Sequence, residues 1–288
     1  MTRFAIVLYA LALQAQTPVA VPFTCTAEDM EAAGMACPEA QPCPVYLEVS
    51  QVYGRAGKLL VTGNLHSESA TLYSILLESD DGGLTWAEPF KRLRGATLDR
   101  AQFADDKVGW IAGQTMVPTP RDPFLLLTTD GGKSWRQHAL LEEDSPGQLL
   151  QFAFEDARHG LLLLDRHTDG NRYELYESQG GGESWTLRSK TVQPPVVPDW
   201  NPVSDEWRAR ADQASKTFRI ERRQGSQWAA VAALPVQVGS CRVAPASEPS
   251  QAPPVTEAAP QPDKDYVEEL HLGGAPAKST AKKKKPKS

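Results

Sequence analysis

Tryptophans recur at nearly constant spacing through the middle of this 288-residue chain, and a similar eight-residue stretch ends at each of them. The spacings are 49, 50 and 43 residues, between Trp86, Trp135, Trp185 and Trp228. The stretches are SDDGGLTW (79–86), TTDGGKSW (128–135), SQGGGESW (178–185) and the weaker ERRQGSQW (221–228). A repeat of about fifty residues indicates one supersecondary unit per copy, each burying its apolar surface against the next.

A second landmark repeats in step with the first. FADDKVGWIAG at 103–113 matches FEDARHGLLLL at 154–164, and WNPVSDEWRAR at 200–210 is a fainter copy. Two landmarks with one period indicate that the whole unit is repeated.

Each repeat contains short strand-like runs between turn signals. The first contains YLEVSQV, KLLVTGNL, TLYSILLES and WAEPFKRL, and the second and third also contain four each. The fourth is weaker, because Pro194, Pro195, Pro198 and Pro202 interrupt its first run before WRARAD, TFRIER and WAAVAAL. Four strands per repeat at this spacing are typical of a propeller blade. The sequence therefore predicts an all-β fold, a β-propeller of about four blades, each a four-stranded antiparallel sheet.

The chain divides into four predicted parts. Residues 1–15 resemble a secretory signal peptide, with Arg3 before an apolar run too short to span a bilayer comfortably; an uncleaved anchor is the alternative. Residues 16–44 form a cysteine-bearing lead-in, where Thr26 to Asp29 indicates a capping box and a short helix. Residues 45–241 hold the repeats. Residues 242–288 contain eight prolines and eight alanines, which predicts a disordered tail. We expect an exported protein, periplasmic or extracellular.

The four cysteines are Cys25, Cys37, Cys43 and Cys241. An even number in an exported chain favours disulfides over a metal site, and no CxxC pair or nearby histidine supports metal binding. Three cysteines precede the repeats and one follows them. At least one bridge must therefore join the two ends of the array if all four pair, although the connectivity stays open among three possibilities.

Charge is distributed unevenly. The net charge is −6, but six lysines lie in the last eleven residues, so the remainder carries −12. This acidic body argues against nucleic acid as a partner. Lys282, Lys283, Lys284 and Lys285 could make weak contact with an anionic surface, or they are simply solvated.

The tryptophan stretches resemble the Asp-box, or BNR, repeat, whose pattern is Ser/Thr-x-Asp-x-Gly-x-Thr/Ser-Trp. Two copies match it fully: Ser79, Asp81, Gly83, Thr85 and Trp86, and then Thr128, Asp130, Gly132, Ser134 and Trp135. The third copy keeps Ser178, Gly182, Ser184 and Trp185 but has Gly180 in place of the aspartate. GWIAG before LLTTDGGKSW is similar to propellers related to photosystem assembly factors and to sortilin and sialidase ectodomains.

The resemblance implies that these stretches are structural turns between the third and fourth strands of a blade, away from the ligand face. Aspartate and hydroxyl side chains can bind the amides of such a turn, and glycine accepts positive φ. Function would then lie on the opposite face, in the loops between second and third strands and between blades. Our candidate binding residues there are Arg121, Asp122, Asp165, His167, Asp169 and Arg172.

Catalysis is not expected, and no catalytic residue is assigned. Sialidases of the resembled family hold the sugar carboxylate with arginines, one in a Phe/Tyr-Arg-Ile-Pro motif ahead of the boxes. Here FRIE at 218–221 follows three boxes, lacks the proline and alternates like a strand. DRHTDGNRYELY at 165–176 begins like a calcium loop, but His167 and Tyr176 replace expected oxygen ligands. No metal or cofactor is predicted.

The sequence leaves the ligand open. The first hypothesis is a non-catalytic interaction or assembly module for an envelope or extracellular protein, and the alternatives are a carbohydrate-binding module or a sialidase-like glycosidase. Trp200 and Trp207 could stack on a sugar, but they align with apolar positions in other repeats. Either a disulfide closes a four-blade ring, or a half-ring completes itself as a homodimer.

Overall fold

Strands account for nearly all of the regular structure in the computed structural model, which describes residues 18–55, 57–116, 119–141, 147–200 and 205–242. The predicted signal peptide and the tail from residue 243 lie outside the described residues. One helix, α1 (Ala27–Ala32), precedes the strands. The strands are β1 (Cys43–Arg55), β2 (Lys58–His66), β3 (Thr71–Ser79), β4 (Ala96–Phe103), β5 (Gly109–Met116), β6 (Pro120–Thr128), β7 (Arg136–Ala139), β8 (Gln148–Phe154), β9 (Gly160–Asp165), β10 (Tyr173–Ser178), β11 (Thr186–Thr191), β12 (Trp207–Asp212), β13 (Thr217–Gln224), β14 (Gln227–Pro235) and β15 (Gln237–Cys241).

These strands form one antiparallel sheet per repeat. Sheet A has the order β15-β1-β2-β3, sheet B β4-β5-β6-β7, sheet C β8-β9-β10-β11 and sheet D β12-β13-β14. The predicted all-β, propeller-like fold of four-stranded antiparallel sheets is confirmed. Sheet D, with three strands among the described residues, departs from the predicted number.

The sheets pack face to face in the order D, A, B, C, and three apolar clusters join them. Ile220 and Leu234 of sheet D meet Val61 and Ile75 of sheet A. The next cluster joins sheets A and B through Leu60, Leu76, Ile111 and Leu126. The third joins sheets B and C through Trp110, Leu125, Phe154 and Leu162. The second strands of sheets B and C, β5 and β9, are buried on both faces. This burial explains their continuous apolar runs.

The outer face of sheet C is covered differently. Val197 and Trp200, from the proline-containing segment after β11, pack on Leu161, Leu163 and Leu175. Trp207 packs against the cluster between sheets D and A. Both tryptophans that were considered for sugar stacking therefore pack against apolar clusters.

The segment WAEPFKRL differs from its expected form. It makes one single bridge to β3, Glu78 with Ala87, and the residue that follows it, Arg94, makes another with Tyr73, so the segment is not a strand. Pro89 lies between these bridges and supplies no N–H group to a ladder. The fourth strand of sheet A is instead β15, which pairs with the other edge of β1.

The lead-in is tied to the sheets. The Thr26 side chain accepts a hydrogen bond from the Asp29 amide, and the Asp29 side chain accepts one from the Thr26 amide, so α1 has a complete capping box. Disulfides join Cys25 to Cys241 and Cys37 to Cys43. One bridge thus connects the two ends of the array. No helix within the described ranges is long and apolar enough to cross a membrane.

Candidate functional site

Each sheet has two ends, and they differ in chemistry. We call the end that carries the three tryptophan stretches the turn face. The opposite end, with the connections β2–β3, β5–β6 and β9–β10, is called the loop face.

The three tryptophan stretches form turns with one backbone geometry. Paired glycines adopt positive φ in each, at Gly82 and Gly83, Gly131 and Gly132, and Gly181 and Gly182. In each turn the initial hydroxyl accepts the amide of the second glycine, at 2.8 Å from Ser79 and 2.9 Å from Thr128 and Ser178. The turn then rests on the neighbouring first-to-second-strand connection, since the Gly131 and Gly181 amides donate to carbonyls of Lys107 and Arg158.

Aspartates strengthen two of these turns. Asp81 accepts hydrogen bonds from the Thr85 amide and hydroxyl, and Asp130 accepts the same pair from Ser134. These bonds lower the pKa of both carboxyl groups to about 2. The third turn has no such carboxylate, because Gly180 occupies the position, yet its backbone is the same. Every donor and acceptor named here forms a hydrogen bond within its turn or to the adjacent connection.

On the loop face, the structure places two of the candidate binding residues within a strand. Arg121 and Asp122 belong to β6, and the loop at 116–123 is shorter than expected. Arg121 Nε donates to the Asp122 carboxylate at 2.7 Å, and the Thr115 hydroxyl donates to the same carboxylate. Asp122 has φ +46°, which is uncommon for a residue other than glycine.

Three of the other candidates meet in the next hairpin. Asp165 is the last residue of β9 and is buried; its carboxylate accepts bonds from the Arg172 guanidinium and from the His167 amide. The Arg172 hydrogen bonds hold the pKa of Asp165 below its ordinary value, although burial opposes them. Asp169 lies exposed at the loop tip. The carboxylate that resembled the start of a calcium loop is therefore engaged by arginine, and the described residues contain no cluster of three His, Cys, Asp or Glu side chains suited to a metal ion.

A polar band not identified from the sequence lies at the loop-face end of the first and second strands. Asn64, Gln114 and Asp165 occupy equivalent positions of β2, β5 and β9, opposite Glu48, Thr97 and Gln148 of the first strands. The Asn64 amide donates to Glu48 at 3.0 Å, and the Gln114 amide donates to Asp99 at 3.3 Å. The sequence did contain a signal for the band: each of the apolar strands β2, β5 and β9 has a polar residue at the same position when the repeats are aligned.

The band contains unsatisfied polar atoms. Asn64 Oδ1 and Gln114 Oε1 are buried and accept no hydrogen bond from any residue that the structure describes. Burial raises the pKa of Asp99, and the negative charge of Glu48 acts in the same direction. The Asn64 and Gln114 amide oxygens are therefore available as hydrogen-bond acceptors, whereas the amide nitrogens of both side chains already bond to carboxylates within the band.

A cavity of about 410 Å³ opens beside α1 on the loop face. Its walls come from four different parts of the chain: α1, the β2–β3 connection, the segment entering β4, and the end of β5. The lining residues are Asp29, Ala32, Ala33, Ser69, Ala70, Thr71, Leu72, Arg94, Gly95 and Met116. The cavity lining thus combines apolar side chains with the charged Asp29 and Arg94, and the sequence could not show that α1 contributes to it.

Arg94 is fixed at this wall. Its guanidinium bonds Glu28 at 2.7 Å, lies 3.2 Å from Asp29, and donates to the Tyr73 hydroxyl at 3.3 Å. Tyr73 in turn donates to Asp29, which completes the capping box of α1. The Arg94 side chain still remains 40% exposed, so it can meet a ligand without rearranging.

Comparison with known proteins gives matches among solved structures alone. No protein-family model matches the chain, and no curated protein matches it. A solved structure described as "YCF48 bound to D1 peptide" is similar at 17% identity and TM-score 0.35, over 67% of this chain and 58% of that chain. A second, "YCF48 from Cyanidioschyzon merolae", is similar at 16% identity and TM-score 0.32, over 65% of this chain and 56% of that one. The chain thus matches less than two-thirds of the length of either structure, and likenesses this distant assign no residue a role.

Proposed function

We propose that this protein is an exported, non-catalytic interaction module that binds a segment of an envelope or extracellular protein at the loop-face cavity. The observation that carries the proposal is the cavity itself. It is recessed, its lining includes the apolar residues Ala32, Ala33 and Leu72, and it presents the Arg94 guanidinium, which Glu28 and Tyr73 hold. Sites that take protein side chains combine these two features.

The cavity suits a peptide segment in size and charge. A volume of about 410 Å³ holds a few side chains rather than a folded surface. Because the two carboxylates of Glu28 and Asp29 outweigh the single charge of Arg94, the wall offers directional hydrogen bonds rather than a positive charge. We expect an apolar side chain against Ala32, Ala33 and Leu72 and an uncharged hydrogen-bond acceptor at Arg94.

The turns support this assignment by their position. We assign them to the Asp-box class, as structural turns that connect the third and fourth strands on the turn face. Binding is then left to the loop face. Catalysis is not proposed, since Arg219 of FRIE lies in β13 and pairs with Asp212 at 2.5 Å, within its own sheet. The two disulfides favour an oxidising compartment, in line with export.

Site-specific photocrosslinking in the native envelope would test the proposal. A benzoylphenylalanine at Ser69, exposed on the cavity rim, should form a discrete protein adduct that mass spectrometry identifies. The same group at Leu84, on the tip of the first turn and 82% exposed, should not form it. Met116→Trp, which fills the cavity, should reduce the adduct at position 69 at least tenfold.

Other outcomes would contradict the proposal. Equal adducts from positions 69 and 84 would show that contact is not directed to the loop face. Recovery of polysaccharide alone at position 69 would replace the protein partner with a glycan. Turnover of fluorogenic glycosides by the purified protein, abolished by Met116→Trp, would establish the glycosidase alternative.

A further inference from the structure

Among the described residues, sheet D has no counterpart of the first strands β1, β4 and β8. The second strands β2, β5 and β9 pair with β1, β4 and β8, whereas β12 forms an edge of its sheet among the described residues. Burial reflects the difference. Every residue of β9 is buried, as are most of β2 and β5, but no residue of β12 is buried.

The register of β12 shows which backbone groups this edge presents. The Arg223 amide donates to the Glu206 carbonyl, and from there the pairs run from Trp207 with Arg222 to Asp212 with Thr217. Since hydrogen-bonded and non-hydrogen-bonded pairs alternate in an antiparallel ladder, Arg208 and Arg210 bond to β13. Trp207, Ala209 and Ala211 therefore direct their N–H and C=O groups to the open edge.

Side chains along β12 alternate in chemistry. Trp207 and Ala209 pack against the apolar cluster between sheets D and A. Arg208 and Arg210 lie on the other face, where Arg208 pairs with Glu221 at 2.7 Å and lies over the Trp228 ring. Arg210 is exposed and forms no ion pair with any described residue. Opposite it lies Arg219, which pairs with Asp212, so Arg210 gives this face a positive charge with no ion-pair partner among the described residues.

We propose that the open edge of β12 is a β-augmentation site for an extended acidic peptide of a partner protein, distinct from the loop-face cavity. The peptide adds a strand beside β12 and hydrogen-bonds with Trp207, Ala209 and Ala211. Its acidic residues lie beside Arg208 and Arg210, and its alternate apolar residues lie beside Trp207 and Ala209.

A second copy of this chain is a poorer occupant. Pairing of two β12 strands edge to edge brings arginines of one copy beside arginines of the other. Like charges directly opposite each other destabilise a sheet, and charged side chains are a common protection of edge strands against self-association. The same arginines attract a carboxylate-bearing strand.

Fluorescence anisotropy with defined peptides tests the site on the intact protein. The probe is a fluorescein-labelled octapeptide of alternating glutamate and valine. It should bind at least tenfold more tightly than an alternating lysine–valine peptide. N-methylation of every second backbone amide, in each of the two possible phases, should abolish binding in the phase that faces β12, because it removes the edge hydrogen bonds and keeps the side chains.

Two protein variants locate the peptide. Arg210→Glu should weaken binding at least tenfold, and Ala209→Pro, which removes one edge N–H, should weaken it similarly. Arg188→Glu is the matched control, an exposed arginine on β11, the outer edge strand of sheet C, and it should leave affinity unchanged. Equal affinity for both N-methylated peptides and the parent, an effect of Arg188→Glu as large as that of Arg210→Glu, or a dimer in sedimentation that Ala209→Pro dissociates would each overturn the proposal.

Discussion

Asp81 and Asp130 make the first two turns sensitive to acid in a way that the third is not. Their pKa values are lowered to about 2, chiefly by bonds from the Thr85 and Ser134 hydroxyls and amides. A carboxyl group whose pKa is lower in the folded protein than in the unfolded chain stabilises the fold. This contribution is complete above the unfolded pKa of about 3.9 and is lost as pH falls through the folded pKa of about 2. We expect the amide ¹⁵N shifts of Thr85 and Ser134 to move only below about pH 3. The Ser184 amide, in the turn without a carboxylate, is the internal control; a matching shift there would refute the assignment.

Gly180 offers the converse experiment at the residue scale. Gly181 and Gly182 have φ +68° and +89°, close to the values in the other turns, so the backbone is already formed for an aspartate. Gly180→Asp should add acceptors for Ser184 and stabilise the protein by about 1 kcal/mol in urea denaturation. Gly180→Ala separates the effect of lost backbone freedom from that of the hydrogen bonds. If both variants gain equally, the carboxylate contributes nothing.

Phenylalanine–glycine pairs stabilise the first hairpin of sheets B and C. Phe103 lies opposite Gly109, and Phe154 lies opposite Gly160. A Cβ added to either glycine would lie 2.5 Å from the phenylalanine ring. Gly109→Ala should therefore destabilise the protein by about 1–3 kcal/mol through overpacking, measured by thermal and urea denaturation. Gly109→Ala with Phe103→Leu should recover part of the loss; no recovery would mean that the ring is not the obstacle.

The sequence predicts these elements unequally. The turn residues and most strand runs follow local rules, so the third strands and the tryptophan turns were found where expected. The run at 86–93 was not a strand: a single bridge, Glu78 with Ala87, joins it to β3, and Pro89 supplies no N–H group to a ladder. Asp165 was expected in a loop, but it ends β9 and is buried with Arg172 as its partner. A partner seven residues away across a hairpin leaves no periodic signal.

The two disulfides should contribute very differently to the stability of the whole molecule. Cys25 and Cys241 are 216 residues apart, whereas Cys37 and Cys43 are six apart. If a bridge acts mainly by restricting the unfolded chain, replacing Cys25 and Cys241 by alanine should cost about 2–5 kcal/mol. The Cys37→Ala, Cys43→Ala variant should cost roughly half as much or less. Urea denaturation of the two double variants makes the comparison, and equal losses would contradict a role for the long bridge in tying the array.

The sequence by itself determined the repeat, the turn chemistry, the all-β class and the requirement that a bridge join the two ends if all cysteines pair. These features depend on residues close together in the chain, and the fifty-residue period repeats them. Only the tertiary structure decided that β15 pairs with β1, that α1 forms a wall of the loop-face cavity, and that β12 lies at the edge of its sheet in the part of the chain that the structure describes. Each of these features depends on which surfaces from distant parts of the chain meet. The free energy gained by burying apolar area does not depend on how far apart the residues are in sequence, so local patterns do not predict these contacts. Local pattern therefore specified the sheets, and long-range packing specified the sites between them.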